Sequence, residues 1–452
     1  MIIKNYSKLA TSELRKRALN IIEAGINAVL PMNLMKPIIK YYQDSKMLTI
    51  KNNDYDLSSG RLFIIGGGKA AGRMAEALES IIPPANIEAG IVTCNSNDFE
   101  KKKIEIIKTG HPIPDKRGVA GVKQMLAMKD KYSIDEHDLI ICLISGGGSA
   151  LLPYPVNDVS IEDKQKITDL LIKCGAEIRE INIVRKHLSK IKGGQLGKHF
   201  SPTPVISLII SDVVGNDLTA IASGPTTYDP TTFKDAYNIL KKYNLLKEAP
   251  NCITEFLEMN LNNKLINSPE QLDNCENHII GTNQIALEAM VESASDQGFN
   301  PTIITAEQKG DPQDIAQQRA DEILTRKFGD HDVILIGGET TPDLPKNHGT
   351  GGRNQHYAAY SLLAMKDYPG EWVVASVATD GADFMPEIAG AIVDNKSLEI
   401  ANSKNYDIRS FIDKYDSYPL LNALENSLIE IGDSGTNVGD VIIYILGKDF
   451  ET

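Results

Sequence analysis

The sequence has 452 residues, more than one ordinary hydrophobic core can hold, and therefore predicts two or three domains. A composition of 42% hydrophobic and 24% charged residues is typical of a globular protein and excludes a disordered or fibrous chain. The formal net charge of −13 argues against broad binding to nucleic acid or to an anionic membrane surface.

The cysteines and the N-terminus indicate a reducing compartment. The five cysteines are scattered and form no C-x-x-C pair, as is typical of free thiols. The N-terminus lacks the apolar core of a signal peptide, and no run approaches the roughly 18 apolar residues of a membrane span. We therefore expect a cytoplasmic protein without a membrane partner.

The first half of the chain alternates short apolar strands with helices. A helical stretch over residues 8–45 comes first. Strands are predicted near residues 61–65, 90–94, 104–107, 139–144 and 205–210. This alternation is the signature of a mostly parallel α/β sheet.

The second half repeats the pattern after a polar, Asn- and Lys-rich connector over residues 231–273. Its strands are predicted near residues 278–280, 302–304, 333–336, 372–377 and 441–446. The predicted fold class is therefore α/β, with two domains that each contain a mostly parallel sheet flanked by helices. We place the domains at residues 1–250 and 251–452.

The turn after the first buried strand carries a candidate phosphate site. Residues 66–71 fit G-x-G-x-x-A, with Gly67, Gly68 and Lys69 at the start of a helix. The next strand ends in Cys94-Asn95 and lacks the acidic residue that a nicotinamide cofactor requires there. Lys69 is therefore predicted to act on a transferring phosphoryl group, the alternative being a surface lysine in a tight turn.

A second glycine loop follows the strand at residues 139–144. It does not fit the G-x-S-x-G nucleophile turn, because Leu151 stands where glycine is required. Short residues before a helix form a nest of N–H donors for phosphate or carboxylate. The alternative is a tight turn that lets strand and helix pack closely. The loop consists of Ser145, Gly146, Gly147, Gly148 and Ser149.

The stretch VILIGGETTPDLPKNHGTGGRNQH predicts an anion site in the second half. A buried strand breaks at Gly338, followed by Glu339 and Thr340, and the chain returns through glycines to Arg353 and Asn354 at the start of a helix. Backbone N–H groups, a helix N-terminus and an arginine together favour a bound phosphate. The alternative is a packed strand with a flexible loop and a solvated arginine.

Carboxylates at strand ends are candidate magnesium ligands. Asp212 and Asp380 each follow a predicted strand, and Mg²⁺ prefers one or two carboxylates together with phosphate oxygens. Asp383 is a further candidate, and for each of these residues a helix or turn cap is the alternative.

Basic residues crowd the segment from Arg185 to Lys192, where a solvated helix face is the commoner explanation of such a run. The isolated His111 is predicted to be a structural loop residue.

These motifs resemble a known family. In order, the chain contains IIGGGKAAGRMAEALE, GHPIPDKRG, ISGGGSALL, INIVRKHLSKIKGGQL, ISDVVGNDLTAIASGPT, GGETT with GGRNQ, ATDGAD and GTNVGD. The series resembles the glycerate 2-kinases of the MOFRL type from near residue 60 almost to the C-terminus. The resemblance implies two α/β domains around an active-site cleft, and the ATP- and Mg²⁺-dependent phosphorylation of D-glycerate to 2-phospho-D-glycerate.

The resemblance also implies residue roles. The family's catalytic lysine and arginine correspond to Lys69 and Arg353, one from each domain, and Asp212 is expected to join them with Mg²⁺. We expect the substrate carboxylate to be held by the N–H groups of the Ser145–Ser149 loop with help from Arg185. The expected partners are a small hydroxy acid and a nucleotide, and a homodimer is left open.

Two other functions remain open at this point. One is an NAD(P)H-dependent hydroxypyruvate reductase, a name that many family members carry. The other is a non-catalytic sugar-acid-binding homologue, suggested by departures from the family's pattern. His356 stands where glutamate usually follows GGRNQ, and Phe384 follows Asp383 where glycine is usual.

Overall fold

The computed structural model describes residues 1–100, 102–261 and 272–447. Its contacts divide the chain into two compact units. The first unit comprises Leu34–Ile280, and the second comprises Met1–Asn33 together with Gly281–Thr452.

The strands of the described residues are numbered in chain order. They are β1 (Ile39–Tyr42), β2 (Met47–Ile50), β3 (Asn53–Asp56), β4 (Leu62–Gly67), β5 (Ala89–Cys94), β6 (Ile104–Lys108), β7 (Leu139–Ser145), β8 (Val205–Ile210), β9 (Cys275–Gly281), β10 (Pro301–Gln308), β11 (Val333–Gly338), β12 (Trp372–Ala378), β13 (Ile388–Asp394), β14 (Leu428–Glu430) and β15 (Asp440–Leu446).

The helices of the same residues are α1 (Tyr6–Leu9), α2 (Glu13–Ala28), α3 (Pro31–Met35), α4 (Ala71–Ile81), α5 (Lys116–Tyr132), α6 (Gly148–Leu151), α7 (Ile161–Lys173), α8 (Ile178–His187), α9 (Gln195–Phe200), α10 (Phe233–Lys242), α11 (Asn251–Asn260), α12 (Asn283–Asp296), α13 (Pro312–Leu324), α14 (Arg353–Ala364), α15 (Asn395–Ser403), α16 (Ile408–Asp413) and α17 (Ser417–Ala423). Short 3-10 turns lie at Pro84–Asn86, Ile221–Ser223 and Leu245–Lys247. Across the described ranges, no helix has the length and apolar character needed to cross a membrane.

The main sheet of the first unit has the strand order β6-β5-β4-β7-β8-β9. The pairs from β6 across to β8 are parallel, as predicted. Every residue of β4, β7 and β8 is buried, because these strands carry continuous apolar runs that suit a sheet covered on both faces. The carboxyl ends of β4, β7 and β8 therefore lie side by side at one edge of the sheet.

Two smaller elements complete the first unit. Strands β1, β2 and β3 form an antiparallel sheet. Helices α7, α8, α10 and α11 share a second apolar cluster, which includes Ile167, Leu171, Val184, Leu240 and Ile253. The predicted helical connector is therefore a packed part of this unit at 231–261, while its residues 262–271 lie outside the described chain.

The sheet of the second unit has the order β10-β11-β15-β12-β13-β14. Only β10 and β11 form a parallel pair, and the other neighbours are antiparallel. The predicted two-domain α/β architecture is confirmed, but a mostly parallel pairing holds only in the first unit. The reason is that β15 enters between β11 and β12 and runs opposite to both. Strands β11 and β12 still share one direction, so their carboxyl ends and the amino end of β15 meet at one edge.

The division into units differs from the predicted boundary at residues 250 and 251. Strand β9, expected to open the second domain, forms the edge of the first sheet beside β8. The Val205 N–H donates to the Asn274 carbonyl oxygen at 2.7 Å just before this strand. The N-terminal segment in turn belongs to the second unit, where the buried Arg15 of α2 pairs with Asp394 at 2.6 Å and donates to Ser397 Oγ at 2.8 Å.

Candidate functional site

The turn after β4 is fastened to the loop after β7. The Lys69 N–H donates to the Gly146 carbonyl oxygen at 2.8 Å, and the Ala70 N–H donates to Ser145 Oγ at 2.9 Å. At Gly68 an added Cβ atom would lie 2.2 Å from Ser145 Oγ, so only glycine permits this approach. The two predicted glycine loops thus form one structure, and the buried Ser145 supports the Lys69 turn from below.

Charged and polar side chains surround the glycines of the Ser145–Ser149 loop. A Cβ atom at Gly146 would lie 1.8 Å from Asp212 Oδ2, so the carboxylate rests directly on this backbone. A Cβ atom at Gly147 would lie 2.9 Å from His111 Nε2 and 3.1 Å from Lys69 Cγ. The fold therefore gathers Lys69, Asp212 and His111 at the carboxyl edge of the first sheet, although the sequence marked His111 only as a loop residue.

The far end of this loop is held by hydroxyl and ammonium groups. Ser149 Oγ and Ser223 Oγ are 2.7 Å apart, and the buried Lys192 donates from Nζ to the Gly148 carbonyl oxygen at 2.8 Å. Neither Ser223 nor Lys192 belongs to a glycine motif. Lys192 lies in the segment INIVRKHLSKIKGGQL and Ser223 in ISDVVGNDLTAIASGPT, both of which contribute to the family resemblance.

A cavity of about 530 Å³ opens beside Ser149 in the first unit. Its lining includes the predicted Arg185 together with Lys164 and Lys192. Burial lowers the pKa of Arg185, and burial together with the nearby Arg185 lowers the pKa of Lys164 to about 7. The pKa of Lys192 is lowered well below its usual range by burial and by both other cations.

The basic segment around Arg185 is not a solvated helix face. Lys186 is buried and pairs with the buried Asp229 at 2.8 Å. The buried His187 ring lies within hydrogen-bond distance of the Ile183 and Thr231 carbonyl oxygens, at 2.9 and 3.1 Å. Burial lowers the pKa of His187. Lys186 and His187 are therefore buried groups with partners inside the first unit.

In the second unit, Arg353 is the first residue of α14 and is held by two carboxylates. Its Nε donates to Asp440 Oδ2 at 2.6 Å and its Nη2 donates to Asp440 Oδ1 at 2.9 Å. Glu339 Oε1 lies 3.1 Å from Nη1. The charges of Asp440 and Glu339 outweigh burial and raise the Arg353 pKa. The structure thus places Glu339 beside Arg353, and adds Asp440 at the start of β15.

Asp383 is a helix cap, the alternative considered for it. Its buried carboxylate accepts the backbone N–H groups of Asn354 at 3.2 Å and Gln355 at 2.8 Å. Burial, with the Asp440 charge adding to it, raises the Asp383 pKa to about 6. Asp380 Oδ1 accepts the Ala382 N–H at 3.1 Å at the carboxyl end of β12.

Within the described ranges, no group of three or more His, Cys, Asp or Glu side chains could hold a metal ion by itself.

Other predicted residues of the second unit lie inside it. Thr340 is buried, and the buried Asn354 accepts the Ser376 hydroxyl through Oδ1 at 2.5 Å. A Cβ atom at Gly338 would lie 2.3 Å from the Gln308 backbone nitrogen, so this glycine serves close packing of β11 on β10. Asn283, which the sequence analysis missed, donates from Nδ2 to the carbonyl oxygens of Val438 and Asp440 at 3.0 and 2.8 Å.

His356, a departure from the family's pattern, is a core residue. Its ring stacks on Tyr415 with the centroids 4.3 Å apart and an interplanar angle of 9°. Both ring nitrogens are buried without a hydrogen-bond partner among the residues described. Desolvation therefore lowers the His356 pKa to about 4 and keeps the ring neutral.

The chain is similar to known proteins over nearly its whole length. Residues 17–258 match the model of a domain of unknown function, DUF4147, and residues 332–440 match the MOFRL family. A glycerate 2-kinase from Pyrococcus horikoshii is 36% identical over 96% of this chain and 98% of its own. A D-glycerate 2-kinase from Thermotoga maritima is 34% identical over 96% and 98%.

A crystal structure of glycerate kinase from Thermotoga maritima resembles this fold with a TM-score of 0.83. It is 33% identical, and the match covers 96% of this chain and 99% of that one. Sequence and structure agree over nearly the whole length, and the chain therefore belongs to the MOFRL-type glycerate 2-kinase family.

Proposed function

We propose that this protein is a glycerate 2-kinase that transfers the γ-phosphoryl group of ATP to D-glycerate and forms 2-phospho-D-glycerate. One observation carries the proposal from the structure. The Lys69 turn is hydrogen-bonded to the Ser145–Ser149 loop, with the Asp212 carboxylate against Gly146. A cation, a nest of N–H groups and a carboxylate in one place are the parts that phosphoryl transfer requires.

Phosphoryl transfer needs positioning and charge more than covalent chemistry. Lys69 is assigned to the transferred group because its ammonium can neutralise the charge that spreads over the equatorial oxygens. Arg353 is also assigned to the transferred phosphoryl group, because it corresponds to the catalytic arginine of the family. Its planar guanidinium suits a phosphoryl group, and the two hydrogen bonds that it donates to Asp440 fix the plane in which it lies.

The residues of the first unit fit a magnesium ion bound together with a nucleotide. Mg²⁺ is usually held by one or two carboxylates and by phosphate oxygens, and Asp212 supplies a carboxylate beside the N–H donors. When bound, the ion would supply positive charge that offsets the negative charge of the phosphate groups. Asp380 is the corresponding candidate in the second unit.

The absence of a cofactor-binding acid at the end of β5 supports a kinase over a reductase. In a nicotinamide-binding fold the strand after the glycine turn ends in a carboxylate for the ribose, and here it ends in Cys94, whose thiol contacts the Ser96 carbonyl oxygen at 2.9 Å. The lysine in the glycine turn also favours a phosphate ligand.

The proposal is tested by coupled measurement of ADP production with D-glycerate. Lys69→Ala and Arg353→Ala are each expected to lower kcat by about 10³-fold or more with a smaller change in KM, because each removes charge stabilisation of the transition state. Lys123→Ala and Arg179→Ala remove exposed cations and are the matched controls. Phosphorus NMR of the product locates the phosphate. Near-normal kcat in both site variants, or NADH consumption with hydroxypyruvate in place of ADP production, would contradict the proposal.

A further inference from the structure

Three positive side chains meet in the cavity beside Ser149. Lys164 comes from α7, Arg185 from α8 and Lys192 from the segment that leads to α9. Lys192 Nζ donates to the Gly148 carbonyl oxygen at 2.8 Å, and Lys164 Nζ donates to the Arg185 carbonyl oxygen at 3.2 Å. The cavity is therefore lined both by Ser149 of the loop and by these three cations, which together are called the cationic floor.

None of these three cations has a carboxylate partner among the described residues. The charged residues in the cavity lining are Lys164, Arg185, Lys192 and Asp169. Asp169 pairs with the exposed Lys173 at 2.6 Å, and no carboxylate in the described ranges forms an ion pair with any of the three cations. Since buried charges are normally paired, three cations around one cavity favour an anionic ligand.

The electrostatic state of the three groups agrees with this interpretation. Burial, with repulsion from the neighbouring cations adding to it, lowers the pKa of Lys164 to about 7 and that of Lys192 well below its usual range. A bound anion would favour the charged forms of these side chains and raise the pKa of Lys164. Its binding would therefore draw a proton onto Lys164 near neutral pH.

The rest of the lining determines the size and polarity of the ligand. Ser149 and Ser223 present hydroxyl groups 2.7 Å apart next to Lys192. The lining also has an apolar part, which includes Ile113 and Ile172, 66% and 61% exposed. An anionic head among cations and hydroxyl groups, with an apolar rim that lowers the local dielectric, suits a small hydroxy acid better than a polyphosphate.

We propose that this cavity binds the carboxylate of the hydroxy acid acceptor and that Lys164 is a specificity-determining residue for that carboxylate. The proposal rests on the proposed kinase function and names the acceptor site within it. Ser149 and Ser223 would accept hydrogen bonds from, or donate them to, the substrate hydroxyls. Arg185, expected from the sequence to assist the loop, would form the second contact to the carboxylate.

Isothermal titration of D-glycerate into the full-length protein tests this site without turnover. Lys164→Met removes the charge and keeps an unbranched side chain, and Lys166→Met on the exposed face of α7 is the matched control. We expect Lys164→Met to weaken glycerate binding and to raise the KM for glycerate by about 10-fold. The kcat should stay within about 3-fold of the wild-type value, because Lys164 interacts with the substrate carboxylate equally in the ground state and the transition state. Glycerol, which lacks the carboxylate, should not compete.

Proton uptake provides a readout that a purely structural role would leave unchanged. At pH 7.5 a group with a pKa of about 7 is roughly one-quarter protonated, so full protonation of Lys164 on binding takes up about three-quarters of a proton. Titrations in buffers of different ionisation enthalpy should show this uptake in the wild type and in Lys166→Met, and a loss of most of it in Lys164→Met.

The outcomes separate this site from the kinase assignment. Unchanged affinity and proton uptake in Lys164→Met overturn the site, even if ADP is produced normally. Failure of the wild type to bind any acid in a panel of hydroxy acids also overturns it. If the variant instead bound ADP or inorganic phosphate more weakly and glycerate normally, the cavity would be a phosphate site and not the acceptor site. If the protein bound glycerate with proton uptake but produced no ADP, the proposed acceptor site would stand and the proposed kinase function would be wrong.

Discussion

The pairing of Arg353 with Asp440 leads to a sharp prediction for Asp440→Asn. The substitution keeps the size of the side chain and removes its charge. It also places an amide N–H₂ group where one carboxylate oxygen accepted a guanidinium N–H at 2.6 or 2.9 Å. Breaking a buried ion pair by changing one partner costs about 3–5 kcal/mol. Here the Arg353 side chain is 27% exposed and can be partly solvated, so we expect a loss of about 2–4 kcal/mol.

The effect on catalysis follows from the same contacts. Without its bidentate partner the guanidinium loses the plane in which it is held, and a misplacement of about 1 Å costs about 10²-fold in rate. Urea unfolding at pH 7 measures the stability loss, and the coupled ADP assay measures kcat. Glu339→Gln is the control for stability only, because Glu339 is 44% exposed and its ion pair contributes less than about 1 kcal/mol to the free energy of unfolding. A stability loss below about 0.5 kcal/mol together with unchanged kcat in Asp440→Asn would refute the reasoning.

The remaining predictions concern the core of the second unit. Arg15→Met leaves Asp394 buried without its partner and should destabilise this unit by about 3–5 kcal/mol in urea unfolding, whereas Arg17→Met, at an exposed ion pair, should cost less than about 1 kcal/mol. Equal effects of the two variants would show that the N-terminal helix does not depend on the buried pair. His356→Phe keeps the stack on Tyr415 and removes a group whose pKa is lowered from 6.5 to about 4. A lowered pKa means that this group's stabilisation is present above pH 6.5 and lost as the pH falls towards 4, so at pH 5 the wild type should have lost about 2 kcal/mol that the variant retains. A constant stability difference between the two proteins from pH 7.5 to pH 5 would disprove the assignment.

Local features of the chain predicted the glycine loops well. The strand, glycine turn and helix around Lys69, and the loop at Ser145–Ser149, depend on backbone geometry that neighbouring residues determine. The glycines there are required by close approach, as the position of Ser145 Oγ beside Gly68 shows. Such loops can be predicted from the sequence because the residues that determine the backbone geometry lie within a few positions of the loop itself.

Features that depend on distant segments could not be predicted in the same way. Nothing near β15 indicates that it enters between β11 and β12, and nothing near α2 indicates that Arg15 pairs with Asp394. Lys164 is a single lysine on an amphipathic helix, and only the packing of α7 beside α8 places it next to Arg185. Asp383 shows a different limit, because a strand-end carboxylate is equally compatible with a metal ligand and with the helix cap that it forms.

The position of β15 has a consequence for biosynthesis. Among the described strands it is translated last, yet it lies in the interior of its sheet with β11 on one side and β12 on the other. The residues of the first unit, 34–280, emerge from the ribosome well before it, and domains usually fold as they emerge. The segment 1–33 is synthesised before residues 34–280 but belongs to the second unit, so most of its packing partners are synthesised only after the first unit. We expect a nascent chain stalled before residue 440 to bind chaperones through α2 and the open flanks of β11 and β12.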